Sequence, residues 1–148
     1  MNNQDARELH ELLFSFMGLF HEKFLVRFRQ RDPNLPGLKK NHFKIMGLLS
    51  QHGFLMSSEI ARRLDIEKGS ITTLIDQLLE KGLVTRQIDP NDRRKSQVSL
   101  SESGREKMNS LLEQHAQEIE YCLQDMNAHE IMQFLDCIRY AVRFMNKL

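Results

Sequence analysis

Apolar residues return at intervals of three and four over residues 5–31, where Leu9, Leu12, Leu13, Phe16, Phe20, Phe24 and Phe28 fall on one face. That period predicts a long amphipathic helix. The stretch DPNLPG (32–37) ends it, because proline cannot continue a helix and restricts the residue before it. A second helix is expected over NHFKIMGLLSQ (41–51), closed by Gly53. Ser57 reads as the N-cap of a short helix, SEIARRLD, with Glu59 placed near the positive end of its dipole. In IEKGSITTLIDQLLEKG (66–82), Ile71, Leu74, Ile75, Leu78 and Leu79 form one buried stripe, and Gly82 supplies the stop.

The period then changes to two. LVTRQI (83–88) and SQVSL (96–100) alternate apolar and polar residues around a DPND turn, which predicts a hairpin of two short strands. Val84, Ile88, Val98 and Leu100 are expected on its buried side. From Ser101 two helical patterns return, with a break at Asn127 and Ala128. The order is therefore helix, helix, helix, helix, hairpin, helix, helix: a mainly α chain with a small β-hairpin. Terminal helices this long and apolar are poorly matched to a small central module, so they are expected to pack against a second copy.

Composition narrows the function. The 148 residues suit one domain with its own core, and 41% hydrophobic with 28% charged residues argue against disorder. The opening MNNQDARELHE lacks a basic n-region and an apolar h-region, and LLFSFMGLF (12–20) is too short for a membrane span. A soluble cytoplasmic protein with no membrane partner is expected. The net charge of +1 conceals a gradient: residues 39–100 hold eleven Lys/Arg against seven Asp/Glu, whereas residues 101–148 hold five against eight. A basic middle suggests a polyanionic partner for that segment. Cys122 and Cys137 sit among helix-spaced apolar residues and read as small buried hydrophobes, with a thiol switch as the alternative. The six histidines form no HxxxH or HxH pair, so neither a metal nor another cofactor is expected. No nucleophile–base pair or phosphate loop points to an enzyme.

Residues 57–78 meet the spatial demands of a helix-turn-helix. Ala61 is small where two helices must approach, and Asp65 stands at the bend, where a left-handed conformation is commonly needed. With Ile71 and Leu74 pinned inward, the second helix turns Lys68, Ser70, Thr72, Thr73, Asp76 and Gln77 outward. Apart from Asp76, these groups suit base edges and phosphates in a major groove. The hairpin follows directly and carries Arg93, Arg94 and Lys95 at its tip. One helix in a major groove and one arginine in the neighbouring minor groove is the arrangement expected.

These residues resemble the core of the MarR family of winged helix-turn-helix regulators. The family's Asp-x-Arg-x-x-x-Val-x-Leu-Thr run reads here as Asp92, Arg94, Val98 and Leu100, with Ser101 at the last position; Lys81-Gly82-Leu83-Val84 and Gly104 match as well. The resemblance implies a single domain over 1–148, with a DNA-binding lobe at 39–100 and dimerisation helices at 5–31 and 102–148. It implies a homodimer on a pseudo-palindromic operator in double-stranded DNA. Carried over residue by residue, Arg94 enters the minor groove and Asp92 orients it. Arg93 and Lys95 meet phosphates. Lys68, Ser70, Thr72, Thr73 and Gln77 lie on the recognition helix, and Ser57 and Ser58 start its supporting helix near a phosphate. Arg86 divides evenly between a phosphate contact and a structural ion pair.

Glu67 stands where the family often has a Ser or Asp cap, and Thr73 where a basic residue is common. Non-specific affinity then leans on the wing and on Lys44, Arg62 and Lys68. Residues 5–31 lack the cysteine of the peroxide-sensing branch, and only His115 falls near a zinc-sensing position. The family's usual control implies a small aromatic or lipophilic effector, for which Phe16, Met17, Phe20, Phe24, Phe43 and Met46 are candidate lining; core packing is the competing reading for each. Arg27 and Arg29 are solvated or pair with an anionic effector. A winged-helix protein-interaction module and a thiol sensor using Cys122 or Cys137 are the alternative functions.

Overall fold

A computed structural model describes residues 2–31, 36–92 and 95–148. The helix expected over 5–31 is α1 (Asn3–Phe20), a π-helical turn (His21–Leu25) and α2 (Val26–Arg31). Then come α3 (Lys40–His52), β1 (Phe54–Met56), α4 (Ser57–Leu64), α5 (Lys68–Glu80), β2 (Val84–Ile88), β3 (Ser96–Leu100), α6 (Glu102–Leu123) and α7 (Ala128–Met145). Of the expected DPNLPG break, residues 32–35 lie outside the described residues, as do Arg93 and Arg94 at the wing tip. Contacts divide the chain into two compact units, Met1–Asp32 with Gln114–Leu148, and Pro33–Glu113.

The second unit is built around Ile45, Met46, Leu49, Ile60, Ile71, Ile75, Leu78 and Val98, each with at most 1% of its surface exposed. Met108 and Leu111 of α6 join this core, so the unit reaches past the expected lobe boundary at residue 100. Its sheet has three strands rather than two, in the order β1-β3-β2, all antiparallel. Leu55 of β1 pairs with Val98, and Val84 of β2 pairs with Leu100. Of the hairpin residues expected to be buried, Val84, Val98 and Leu100 are, but Ile88 is 61% exposed. Ile88 pairs with Ser96 at the tip end of the hairpin, beyond the reach of the helices.

Two local devices fix the turns. Asp65 takes the left-handed conformation (φ 51°) that the bend between α4 and α5 requires. Met56, not Ser57, occupies the cap position of α4; its N–H donates to Glu59 Oε2 at 2.9 Å, and Ser57 is the first helical residue.

In the first unit, Phe16, Phe20, Phe24 and Phe28 follow one another with ring centroids 6.3, 5.7 and 6.2 Å apart, the first pair stacked and the next two tilted by 39°. In an α-helix every fourth residue drifts by about 40° around the axis. The π-helical turn that carries Phe24 interrupts the regular α-helical spacing. Neither α1 nor α7 has a single buried residue. Cys137 is accordingly exposed and Cys122 only half-buried, against the expectation of two buried thiols. Cys137 lies on α7, which has no buried residue, and Cys122 lies at the far end of α6 from its buried Met108 and Leu111.

Candidate nucleic-acid interface

The recognition helix α5 is held by Ile71, Ile75 and Leu78, all without exposed surface. This leaves Lys68, Ser70, Thr72, Thr73 and Asp76 in solvent, as the helical period requires. The threonine hydroxyls are not idle: Thr72 Oγ1 donates to the Lys68 carbonyl at 3.0 Å and Thr73 Oγ1 to the Gly69 carbonyl at 3.3 Å. Their oxygens and methyl groups therefore remain to face outward as acceptors and as apolar contacts for thymine methyls. Glu67 caps α5 without any side-chain hydrogen bond, so the first N–H groups of the helix have no side-chain partner.

Gln77 differs from its neighbours. It is half-buried, and its Oε1 lies 2.8 Å from Nε2 of His42 in α3. Gln77 lies on the expected face, but half of its amide is engaged inward. No local pattern could have revealed this, since the partner is 35 residues away.

Besides the shared apolar core, an ion pair joins the wing to this helix. Arg86 Nη2 of β2 meets Oδ1 of Asp76 at 3.1 Å. Arg86 thus forms an ion pair between β2 and α5. At the tip, Asp89 N–H donates to the Lys95 carbonyl at 2.8 Å, and Asn91 N–H to the Asp89 carboxylate at 2.8 Å. Lys95 N–H closes the loop on the Asp92 carbonyl at 2.9 Å. Lys95 is exposed and Asp92 half-buried; Arg93 and Arg94, expected to complete this tip, lie outside the described residues. On the supporting helix, Ser58 is exposed and Ser57 half-exposed. Lys44 and Arg62 are exposed as well.

The hairpin's far end is fastened at Ser101. Its hydroxyl donates to the Gly82 carbonyl at 2.6 Å and accepts from the Gly104 N–H at 3.0 Å, capping α6. A Cβ on Gly104 would collide with the Leu83 carbonyl, which is why this position takes no side chain.

The candidate effector residues separate. Met46 belongs to the core of the second unit and Phe43 packs against that core. Phe16, Phe20 and Phe24 line an apolar cavity of about 520 Å³ in the first unit, together with Ile119 and Leu123 of α6 and Phe134 and Leu135 of α7. Met17, 61% exposed, is not part of that lining. Arg27 lies over the Tyr121 ring at 5.7 Å, and Arg29 Nη2 donates to His21 Nε2 at 3.1 Å. His115 stacks on Phe28, and among the described residues no three His, Cys, Asp or Glu side chains gather in a metal-binding group. No described helix is long and apolar enough to cross a membrane.

Residues 38–96 match the model of the MarR family. The chain is 28% identical over 115 residues to the HTH-type transcriptional regulator MhqR of Bacillus subtilis, covering 75% of this chain and 79% of that protein. It superposes with a TM-score of 0.76 on a MarR family protein from Bacillus stearothermophilus, at 23% identity, covering 99% of each chain. It also superposes on Bordetella bronchiseptica BpsR, whose DNA binding is regulated by 6-hydroxynicotinic acid, with a TM-score of 0.62, 18% identity, and 89% and 98% of the two chains covered.

Proposed function

We propose that the chain is a MarR-family protein that acts as a homodimeric, sequence-specific transcriptional repressor and occupies a pseudo-palindromic operator. The observation that carries this reading is the anchored recognition helix with a polar outer face, tied to a wing by Arg86 and Asp76. The uncapped first turn of α5 suits a phosphate oxygen, and its Thr72 and Thr73 faces suit a major groove. Arg94, aimed by Asp92, takes the minor groove beside it, while Arg93 and Lys95 contact phosphates. Ser57, Ser58 and Lys68 add backbone contacts that fix register without reading sequence.

A second copy covers α1 and α7, many of whose apolar residues are exposed. A small aromatic or lipophilic molecule releases the DNA; the regulated behaviour of BpsR supports this. Action on promoter DNA places the protein in the cytoplasm.

Selection from a pool of random duplexes tests the reading. An enriched pseudo-palindrome with half-sites about one helical turn apart is expected. Arg94→Ala should then weaken binding to that sequence by about 1–3 kcal/mol and reduce the salt slope by about 1. A pool that stays random would instead favour a wing that docks on an acidic protein.

A further inference from the structure

Among the described residues, His42 is the polar residue with no exposed surface at all, and both of its ring nitrogens are engaged. Nδ1 lies 2.9 Å from the backbone N–H of Lys39, a group that can only donate. Nδ1 is therefore the acceptor, and in the neutral ring Nε2 carries the proton. Nε2–H in turn can only donate, which requires an acceptor 2.8 Å away: Oε1 of Gln77. The orientation of the Gln77 amide thus follows from the main chain of residue 39, through the imidazole, to the recognition helix.

This has a consequence for base reading. Gln77 lies one to two helical turns from Thr73 and Ser70, on the same side of α5. A glutamine with both amide arms available recognises adenine by accepting from N6 and donating to N7. Here His42 takes one of the two lone pairs of the Gln77 oxygen, and because that ring is fully buried the oxygen is turned into the protein, which leaves the N–H₂ arm to the groove. A donor alone matches acceptors, and guanine offers two in the major groove, O6 and N7, where adenine offers one. Resting on the DNA-binding reading above, we propose that His42 is a positioning residue that makes Gln77 a donor-only, specificity-determining contact, directed to guanine rather than adenine at one position of each half-site. His42 itself touches no base.

Two measurements on the full chain test this. The first is the ¹⁵N spectrum of the His42 imidazole, where protonation at Nε2 is expected; a proton on Nδ1 would overturn the proposal without any DNA present. The second is duplex selection with wild type, Gln77→Glu and His42→Asn. Gln77→Glu still accepts from His42 but has no N–H to offer, so the ratio of guanine to the other bases at one half-site position should fall by about tenfold. A uniform loss of affinity from the added charge leaves that ratio alone. His42→Asn retains an oxygen for the Lys39 N–H but nothing at Nε2; Gln77 regains its accepting arm, and adenine should gain at the same position. A wild-type motif unchanged in Gln77→Glu overturns the proposal, and so does one altered by Gln77→Glu but unchanged in a folded His42→Asn. No motif with the wild-type protein overturns the DNA-binding reading itself and the base preference with it.

Discussion

Asp76 and Arg86 carry opposite consequences for stability and for binding. Both groups are solvent-accessible, with side-chain exposures of 52% and 31%, so their pair is worth no more than about 1 kcal/mol to the fold. On a surface meant for phosphates, however, Asp76 is a repulsive charge that also occupies an arginine. Asp76→Ala should change the unfolding free energy by less than about 1 kcal/mol. It should also tighten DNA binding and steepen its salt dependence by about one ion, as a freed Arg86 reaches a phosphate. Chemical denaturation and titration across salt check the two halves; an unchanged slope would show that Arg86 stays away from DNA. The sequence placed Arg86 on either side of this question because an ion pair between a helix and a strand ten residues later leaves no periodic trace. Gln77 and His42 were opaque for the same reason. Helical spacing could assign Gln77 to the outer face, yet the bond that orients it comes from a different helix.

Elements were more legible than contacts, because burial imposes a period. The 3.6 repeat located α3, α5, α6 and α7, and the change to alternation located β2 and β3. β1 escaped because FLM is too short to show any period, and it is a strand only through its pairing with β3 more than forty residues away. The π-turn escaped because a spacing of four between phenylalanines fits either helix type. Ile88 fits the alternation of β2 but lies where the hairpin has already left the core. Where β2 begins and α6 starts, Ser101 and Gly104 form one joint, with Gly104 against the Leu83 carbonyl. Gly104→Ala should lower stability by about 2 kcal/mol or more, through a backbone shift that loosens the wing from α6. Thermal melting checks the loss. A melting temperature equal to that of the wild type would mean that the joint gives way freely.

At the scale of the whole molecule, the open faces of α1 and α7 call for a partner. Phe134 and Leu135 are 46% and 39% exposed, and the neighbouring cavity is walled by phenylalanine and aliphatic side chains. A stable dimer must cover upwards of about 1,000 Å² of such surface. The terminal pattern in the sequence pointed to this, since helices so apolar cannot satisfy themselves. It could not say which residues would be left uncovered, and it placed Cys137 inside. Leu135→Glu would place a charge in the face proposed to be covered, where burial without a partner is costly. Sedimentation should show a monomer, with a large loss of operator affinity, because the two half-sites are then no longer held together. A dimer that persists in this variant would move the interface elsewhere.

The most direct test of sequence-specific DNA binding is the affinity of the full chain for its selected operator and for a scrambled duplex of equal length, measured across salt. Operator binding is expected to be at least about 10³-fold tighter than binding to the scrambled duplex. Both affinities are expected to fall linearly with the logarithm of salt concentration. Equal affinity for the two duplexes, or none for either, would contradict it.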